Sequence, residues 1–181
     1  MTVELTVPAQ AGWPGLLLRP WAADDAEALA AEHQDPDMRR WLMSTLDGTA
    51  AAREWIDQQA QAWEGGLRYS FAVVERDAAR PVGHVAVKRK TAGAPSAEIG
   101  YWTAAAVRGR GIAPLAVGAV TGWALGSGAG APALSRLELL HAVPNTASCR
   151  VAVKSGFPLW GALEPHPPKF PHAGHIHVCE G

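Results

Sequence analysis

The sequence predicts a single mixed α/β domain over residues 1–181, and two observations lead to this fold class. Short segments with the period-two hydrophobic alternation of strands are interleaved with segments whose apolar residues recur at the 3.6-residue spacing of helices. A strand over 97–103, a helix over 114–125 and a strand over 134–143 follow one another, and we expect this unit to be a parallel, right-handed crossover. The whole pattern predicts about seven strands and about four helices around one ordinary hydrophobic core.

Composition and charge argue against several classes of function. Sixteen Lys and Arg residues nearly balance seventeen Asp and Glu residues, so no net field favours a nucleic acid or an anionic membrane as partner. No apolar run approaches the roughly 20 residues of a membrane span, and the N-terminus lacks the basic start and apolar core of a signal peptide. Two cysteines in 181 residues do not form a disulfide framework. We therefore expect a cytoplasmic protein, with its state as a monomer or a homodimer left open.

The N-terminal third predicts one strand and two helices. The strand covers Leu16 to Pro20, and Asp24 has the capping-box spacing of an N-cap for a helix that runs to about His33. The Asp-Pro-Asp sequence at 35–37 interrupts that helix. A second helix begins after Gly48 and ends at the glycines 65–66. The 3.6-residue period of a helix places five of its residues on one face: Ala52, Trp55, Ile56, Gln59 and Trp63.

The remaining elements are strands and one further helix. Segments 69–75 and 81–88 alternate in hydrophobicity, and 77–80 is the predicted hairpin connection between them. Asn145 is the predicted N-cap of a helix that Gly156 ends. Segments 158–163 and 175–179 are predicted to be two closing strands, separated by a loop rich in Pro and His.

The loop over 107–114 leads from the strand at 97–103 into the helix at 114–125 and contains Gly109 and Gly111. A strand, a short glycine-containing loop and a helix N-terminus direct several backbone N–H groups at one anion. The alternative is a tight connection with a basic surface. Within the helix, glycines recur at 118, 122 and 126. Either the helix approaches the sheet or a ligand closely there, or these glycines only reflect a glycine-rich sequence.

Two motifs in a fixed order carry a resemblance to a known family. The first is Glu98 to Trp102 (Glu-Ile-Gly-Tyr-Trp) followed by Arg108 to Ala113 (Arg-Gly-Arg-Gly-Ile-Ala), and the second is the segment from Asn145 to Phe157. With these motifs the chain resembles the GNAT superfamily of acetyl-CoA-dependent N-acetyltransferases, in particular its Rim-like branch, named for enzymes that acetylate ribosomal-protein N-termini. The resemblance extends over residues 16–163 and weakens toward the C-terminus.

The resemblance implies a central mixed, mostly antiparallel sheet with a parallel splayed pair, between which the pantetheine arm of the co-substrate acetyl-CoA lies. It implies that loop N–H groups bind the pyrophosphate, that a backbone N–H near Ala106 or Val107 polarises the thioester carbonyl, and that Asn145 bonds the arm. The expected cofactor-binding residues are Ala106, Val107, Arg108, Gly109, Arg110, Gly111, Ile112, Ala113, Asn145, Ser148, Arg150 and Lys154. The alternatives are solvated surface for the charged residues and an ordinary N-cap for Asn145.

The implied reaction is transfer of an acetyl group from acetyl-CoA to a primary amine by direct attack in a ternary complex. It requires a base for the amine and polarisation of the thioester carbonyl. Glu98 is the first candidate for the base, directly or through water, because it begins the strand that the resemblance places beside the cofactor. Strand alternation puts it on one face with Gly100 and Trp102. The alternative for Glu98 is a strand-edge salt bridge. His141 is the second catalytic candidate, followed by His84.

One departure from the family concerns the acid that protonates the leaving thiolate. Many members have a tyrosine four residues before the closing glycine, and here that position is Ala152. The acid is then Ser148 or a water molecule, or the reaction proceeds without a general acid. This departure keeps a second function open, that of an acyl-CoA-binding module without catalysis. The sequence does not specify the acceptor, which is a protein N-terminus or a small-molecule amine.

Histidines are concentrated near the C-terminus. A zinc interpretation is invited by His166, His172, His175 and His177 together with Cys179, because His175 and His177 share a strand face. Because a His-x-His pair without a carboxylate set is a weak zinc signal, we expect no metal site. The alternatives are a histidine face that borders the acceptor groove and a solvated sheet edge.

Overall fold

The computed structural model of the protein describes residues 3–9, 15–76 and 80–181. Its strands are β1 (Leu5–Val7), β2 (Leu16–Pro20), β3 (Arg68–Glu75), β4 (Pro81–Lys88), β5 (Ser96–Thr103), β6 (Arg136–Ala142), β7 (Leu159–Leu163) and β8 (Gly174–Glu180). They form one eight-stranded sheet in the order β1-β2-β3-β4-β5-β6-β8-β7. Neighbouring strands are antiparallel except for β5 and β6, which are parallel.

Helices cover both faces of this sheet. In the described chain they are α1 (Ala26–Glu32), α2 (Pro36–Trp41), α3 (Thr49–Glu64), α4 (Ile112–Leu125) and α5 (Thr146–Lys154). The buried side chains of α1, α2 and α3 pack on one face, and those of α4 and α5 pack on the other. Among the described helices, none combines the length and the apolar character that a membrane crossing requires.

Strand alternation builds a separate apolar core on each face. Beneath α4 and α5, the strand residues Phe71, Ile99 and Leu137 pack with Val117 and Ala152. The opposite core, beneath α1 to α3, contains Trp21, Leu29, Ala52, Ile56, Ala72 and Trp102. Because full burial of one large apolar side chain contributes about 2 kcal/mol to stability, both cores stabilise the fold. Alternation along β5 therefore gives Tyr101 to the α5 side and Trp102 to the α1 side.

Most predicted elements are confirmed. The strand at Leu16–Pro20, the antiparallel pairing of β3 with β4, the parallel pairing across the β5–α4–β6 unit and the helix after Asn145 are all present. The connection predicted at 77–80 falls largely on residues 77–79, which lie outside the described residues. The buried face of α3 also agrees with its spacing, since Ala52, Ile56 and Gln59 are buried and the two tryptophans are half-buried.

Two short elements were not predicted. Strand β1 has only three residues, too few for a period-two pattern to emerge. Helix α2 lies where the Asp-Pro-Asp sequence was interpreted only as an interruption. Asp35 is instead its N-cap, since the side chain accepts a hydrogen bond from the N–H of Asp37 at 3.1 Å, and Pro36 occupies the first turn.

The capping prediction for Asp24 was wrong. Residues Ala23–Asp25 form a 3-10 turn, and Asp25, not Asp24, is the N-cap position of α1. The Asp25 carboxylate does not cap the helix. It accepts from the guanidinium of Arg19 at 2.7 and 2.8 Å and from the N–H of Ala22 at 2.9 Å. A buried ion pair with β2 thus occupies the side chain at the N-cap position.

Helix α4 begins two residues before the predicted start, and its glycines differ in how closely the rest of the protein approaches them. A Cβ atom at Gly118 or Gly122 would meet no atom within 4 Å, so neither position requires a close approach to the sheet. At Gly126, by contrast, a Cβ would lie 2.7 Å from the carbonyl oxygen of Gly122. Packing on the sheet therefore does not require Gly118 and Gly122, whereas the helix end requires Gly126.

Candidate active site

The parallel strands β5 and β6 separate soon after they pair. Their pairing is confined to Ser96–Glu98 of β5 and Arg136–Glu138 of β6. Beyond Glu98 the strand β5 stays paired with β4, and beyond Glu138 the strand β6 stays paired with β8. The two strands therefore diverge and leave backbone N–H and C=O groups facing a wedge, which we call the splay. An extended ligand with amide groups can pair with such strand edges.

The glycine loop follows β5 and ends at the N-terminus of α4. Gly109 has φ 76° and Gly111 has φ 73°, a left-handed conformation that side chains with a Cβ rarely adopt. The first helical hydrogen bond runs from the N–H of Leu115 to the carbonyl oxygen of Gly111 at 3.4 Å. The N–H groups of Ile112 and Ala113 precede that bond, and Pro114 has none. The N–H groups of Ile112 and Ala113 are therefore free to bind an anion. The dipole of the 14-residue helix α4 also favours an anion at this end.

The two arginines of the loop are paired with carboxylates. Arg108 binds Asp35 and, at 3.5 Å, Asp37 at the start of α2, and Arg110 binds Glu75 at the end of β3 at 2.7 Å. Burial raises the pKa of Asp35, but hydrogen bonds from Arg108 and from the Asp37 N–H outweigh it, so this pKa is lowered overall. The loop is thus tied to α2 and β3.

At the N-terminus of α5, Asn145 is an N-cap whose side-chain oxygen accepts from the N–H of Ser148 at 3.1 Å. No hydrogen bond within the described chain uses its NH₂ group. The expected phosphate contacts further along α5 have exposed side chains: Arg150 lies 3.5 Å from the hydroxyl of Thr146, and Lys154 is in the last turn. These positions leave both cations accessible to a ligand.

A pair of hydroxyl groups connects the two sides of the splay. Tyr101 of β5 donates a hydrogen bond to Ser148 of α5 at 2.9 Å. Burial raises the pKa of Tyr101 to about 12, opposed by the bond to Ser148. The sequence prediction included Ser148 but missed Tyr101. The available signal was its place in the Glu-Ile-Gly-Tyr-Trp motif, opposite in face to Glu98.

Glu98 lies where the strands separate, as the last residue of β5 that pairs with β6. Its side chain is 45 % exposed, and the carboxylate accepts from the ammonium group of Lys88 at 2.8 Å. As predicted, it shares a face with Gly100 and Trp102. The salt bridge that was the alternative interpretation for Glu98 is therefore also observed. Because an exposed ion pair of this kind is weak, the carboxylate remains accessible to a substrate.

His84 lies in an aromatic cluster rather than at an open surface. Its ring is 5.5 to 5.9 Å, between centroids, from those of Trp21, Trp55 and Trp102. Its Nδ1 atom is 3.0 Å from the indole nitrogen of Trp21. Burial, reinforced by the charge of Arg68, holds the pKa of His84 well below its ordinary value. The ring is thus a neutral core group.

His141 is also enclosed. Its Nδ1 atom lies 2.9 Å from the carbonyl oxygen of Ala142, and its Nε2 atom lies 3.2 Å from Nε2 of His177. Burial lowers its pKa, while the bond to Ala142 acts in the opposite direction. Since both ring nitrogens have neighbours within the protein, neither is directed at a substrate in the splay.

Comparisons with known proteins agree with this geometry. A putative ribosomal-protein-serine acetyltransferase from Vibrio cholerae has the same fold, with a TM-score of 0.77 at 23% identity and 100% of both chains covered. RimJ of Mycobacterium smegmatis, in complex with CoA-disulfide, has a TM-score of 0.79 at 23% identity, covering 99% of this chain and 87% of that one. The microcin C7 self-immunity acetyltransferase MccE, in complex with acetyl-CoA and AMP, has a TM-score of 0.77 at 18% identity, covering 92% of each chain. No curated protein sequence matches this chain.

The sequence itself matches a family model over most of its length. The matching model is described as an acetyltransferase (GNAT) domain and covers residues 15–158. That range contains β2 to β6, all five described helices, the glycine loop and the splay. The chain therefore belongs to the GNAT acetyltransferase family.

Proposed function

We propose that this acetyltransferase transfers the acetyl group of acetyl-CoA to a primary amine by direct attack in a ternary complex. The splay of β5 and β6, next to the left-handed glycines at the start of α4, is the observation that supports this most strongly. The bound CoA-disulfide and acetyl-CoA of the two structural relatives agree with a CoA thioester as co-substrate.

The cofactor fits these features from end to end. The pyrophosphate lies against the N–H groups of Gly109, Gly111, Ile112 and Ala113, whereas the N–H of Arg110 already donates to the carbonyl oxygen of Val107 at 3.4 Å. The pantetheine arm pairs with the edges of β5 and β6, with Asn145 as a further donor. Because Arg108 and Arg110 already bind carboxylates, a phosphate contact requires them to share or exchange those partners. Arg150 and Lys154 lie on the exposed surface of α5 and suit the phosphate end. The N–H of Val107 already donates to Ala104 at 3.1 Å, which favours Ala106 as the group that polarises the carbonyl.

Glu98 is the proposed base. It lies at the closed end of the splay, where β5 and β6 stop pairing, on the α1 to α3 face, and its carboxylate is exposed enough to receive a proton from an amine or a bridging water. His141 is the weaker candidate because both of its ring nitrogens are occupied within the protein. The acceptor therefore approaches from the face that α1 to α3 cover.

Tyr101 and Ser148 are the proposed source of the proton for the leaving thiolate. They occupy the opposite face of the sheet from Glu98, beside the N-terminus of α5. Transfer passes from the Ser148 hydroxyl to the thiolate, and Tyr101 replaces the proton on Ser148. A tyrosine from β5 thus takes over the task that Ala152 cannot perform.

A protein N-terminus is the acceptor class that we favour over a small amine. The Vibrio cholerae relative is described as a ribosomal-protein-serine acetyltransferase. A flexible peptide end can also reach a base such as Glu98, whose side chain is 45 % exposed rather than enclosed in a pocket.

The test is release of free CoA thiol from acetyl-CoA in the presence of an amine panel. The panel contains peptides with N-terminal Ser, Ala or Met, matched N-blocked peptides, and small polyamines. We expect thiol release with free peptide N-termini and none with blocked ones. If CoA binds tightly by calorimetry and no amine releases thiol, the acyl-CoA-binding alternative replaces the enzyme. Release with polyamines alone would contradict the choice of acceptor class.

A further inference from the structure

A cluster of three histidines and one cysteine lies between α5 and the paired strands β6 and β8. His141 on β6 is paired directly with His175 on β8, and His177 lies two residues further along β8. Strand alternation directs these three imidazoles to the same face of the sheet, where Cys149 of α5 joins them. One ligand atom from each of the four side chains lies within 4.8 Å of all the others.

Hydrogen bonds to the backbone fix the protons of two of these rings. Nδ1 of His177 is 3.0 Å from the carbonyl oxygen of Phe157, and Nδ1 of His141 is 2.9 Å from that of Ala142. Because a carbonyl oxygen only accepts, both Nδ1 atoms are donors and carry the ring protons. In neutral imidazoles both Nε2 atoms then have lone pairs, and these two atoms face one another at 3.2 Å.

Facing lone pairs repel unless a cation lies between them. A shared proton would place a positive charge where His177 is 1% exposed and His141 is 8% exposed, and burying such a charge without a carboxylate is costly. No carboxylate belongs to the cluster found among the described residues. A metal ion can accept both lone pairs. Tetrahedral Zn²⁺ with Zn–N bonds of about 2.0–2.1 Å holds two nitrogens about 3.3 Å apart, close to the spacing of these two atoms.

The remaining two side chains complete a donor set. Nδ1 of His175 is buried without a hydrogen-bond partner in the described chain, and Cys149 is a free, half-buried cysteine. We propose that one Zn²⁺ ion is bound by four side chains, those of His141, Cys149, His175 and His177. Three imidazoles and a thiolate are ligands that Zn²⁺ prefers, and the thiol loses its proton on binding. Four protein ligands leave no open coordination position, so the site is structural.

The ion connects α5 to the β6–β8 ladder. The N-terminus of α5 carries Asn145 and Ser148, which form one side of the splay. Metal binding therefore holds that side in place without contacting the acetyl group. The prediction from sequence expected no metal and considered Cys179. Cys179 pairs with Leu137 further along the sheet and packs against the core, and Cys149 on another element takes its place.

The experiment measures zinc in the full chain, purified without a histidine tag and equilibrated with micromolar ZnCl₂ before gel filtration. We expect about one zinc per chain in the wild type and in the matched control Cys179→Ser. Cys149→Ser and His175→Ala should weaken zinc binding at least about tenfold. Zinc should also raise Tm by roughly 5–10 °C over protein treated with a chelator. With Co²⁺ in place of Zn²⁺, a thiolate-to-cobalt charge-transfer band should appear in the wild type and in Cys179→Ser, and disappear in Cys149→Ser.

Circular dichroism spectra serve as the control that each variant is folded. Folded wild-type protein that retains no zinc after equilibration would overturn the site. Retention of wild-type affinity by folded Cys149→Ser would overturn the proposed ligand set. Neither result depends on acetyl transfer, so the metal site and the proposed reaction are tested independently.

Discussion

The hydroxyl groups of Tyr101 and Ser148 meet at 2.9 Å and connect β5 to α5 across the splay. Since burial raises the pKa of Tyr101 to about 12, against the opposing effect of the Ser148 bond, the phenol keeps its proton at neutral pH. The proposed proton transfer to the leaving thiolate rests on this protonated phenol next to a serine, in a chain with alanine at position 152.

Replacement of Tyr101 by Phe removes the donor and preserves the ring. We expect kcat to fall about 100-fold, as is typical for loss of a general acid, with KM for acetyl-CoA changed less than about threefold. Steady-state thiol release measures both constants. A wild-type kcat in the Tyr101→Phe variant would show that the hydroxyl pair only joins β5 to α5.

Replacement of Glu98 by Gln tests the base, and Glu138 provides the matched control. Glu138 pairs with Glu98 across β5 and β6, but Arg136 holds its carboxylate at 2.8 Å. We expect kcat/KM to fall about 100-fold in Glu98→Gln and to change little in Glu138→Gln. Equal losses in both variants would indicate a general effect of charge at the splay. Acetyl-CoA affinity, measured by calorimetry, should be unchanged in Glu98→Gln.

Alanine substitutions at Gly111 and Gly118 should act in opposite directions. At Gly111, φ 73° strains any residue with a Cβ, so Gly111→Ala should cost about 1–2 kcal/mol and weaken CoA binding at least tenfold. At Gly118 the added Cβ meets nothing within 4 Å, so Gly118→Ala should stabilise by up to about 1 kcal/mol and leave CoA binding unchanged. Urea unfolding and calorimetry measure the two quantities. A destabilised Gly118→Ala would contradict the open space around that glycine.

Acid should destabilise the protein through His33 and His84. Burial, helped by Arg39, lowers the pKa of His33, and burial also holds that of His84 well below its ordinary value. Because the unfolded chain has a histidine pKa near 6.5, the contribution of each ring is complete above about pH 6.5 and is lost as the pH falls toward the folded values. Urea midpoints at about pH 7.5, 6.5 and 5.5 measure this loss. His84→Gln should flatten the profile, whereas the exposed His166→Gln should not.

Local spacing predicted much of the fold and the local geometry of the candidate site. The loop with Gly109 and Gly111, the cap at Asn145 and the strand alternation that directs Glu98 each depend on a few consecutive residues. Such features form locally and require no contact with a distant segment of the chain. The splay followed from the family resemblance, because no local pattern indicates where two parallel strands stop pairing.

The missed features depend on contacts between distant segments. The start of α1 was misplaced, and Asp25 at its N-cap position instead binds Arg19, a partner on β2. The pair formed by Tyr101 and Ser148 requires β5 and α5 to converge. The histidine cluster requires the β6–β8 register and the packing of α5, which bring Cys149 to the histidines in place of Cys179, the cysteine nearer to them in sequence.

A crystal structure of the protein with bound CoA tests the central claim most directly. The pyrophosphate should accept hydrogen bonds from N–H groups of the glycine loop and of Ile112 and Ala113, and the pantetheine arm should lie between β5 and β6. The sulfur should lie near the hydroxyls of Tyr101 and Ser148. A pyrophosphate bound elsewhere, or an arm outside the splay, would contradict the account.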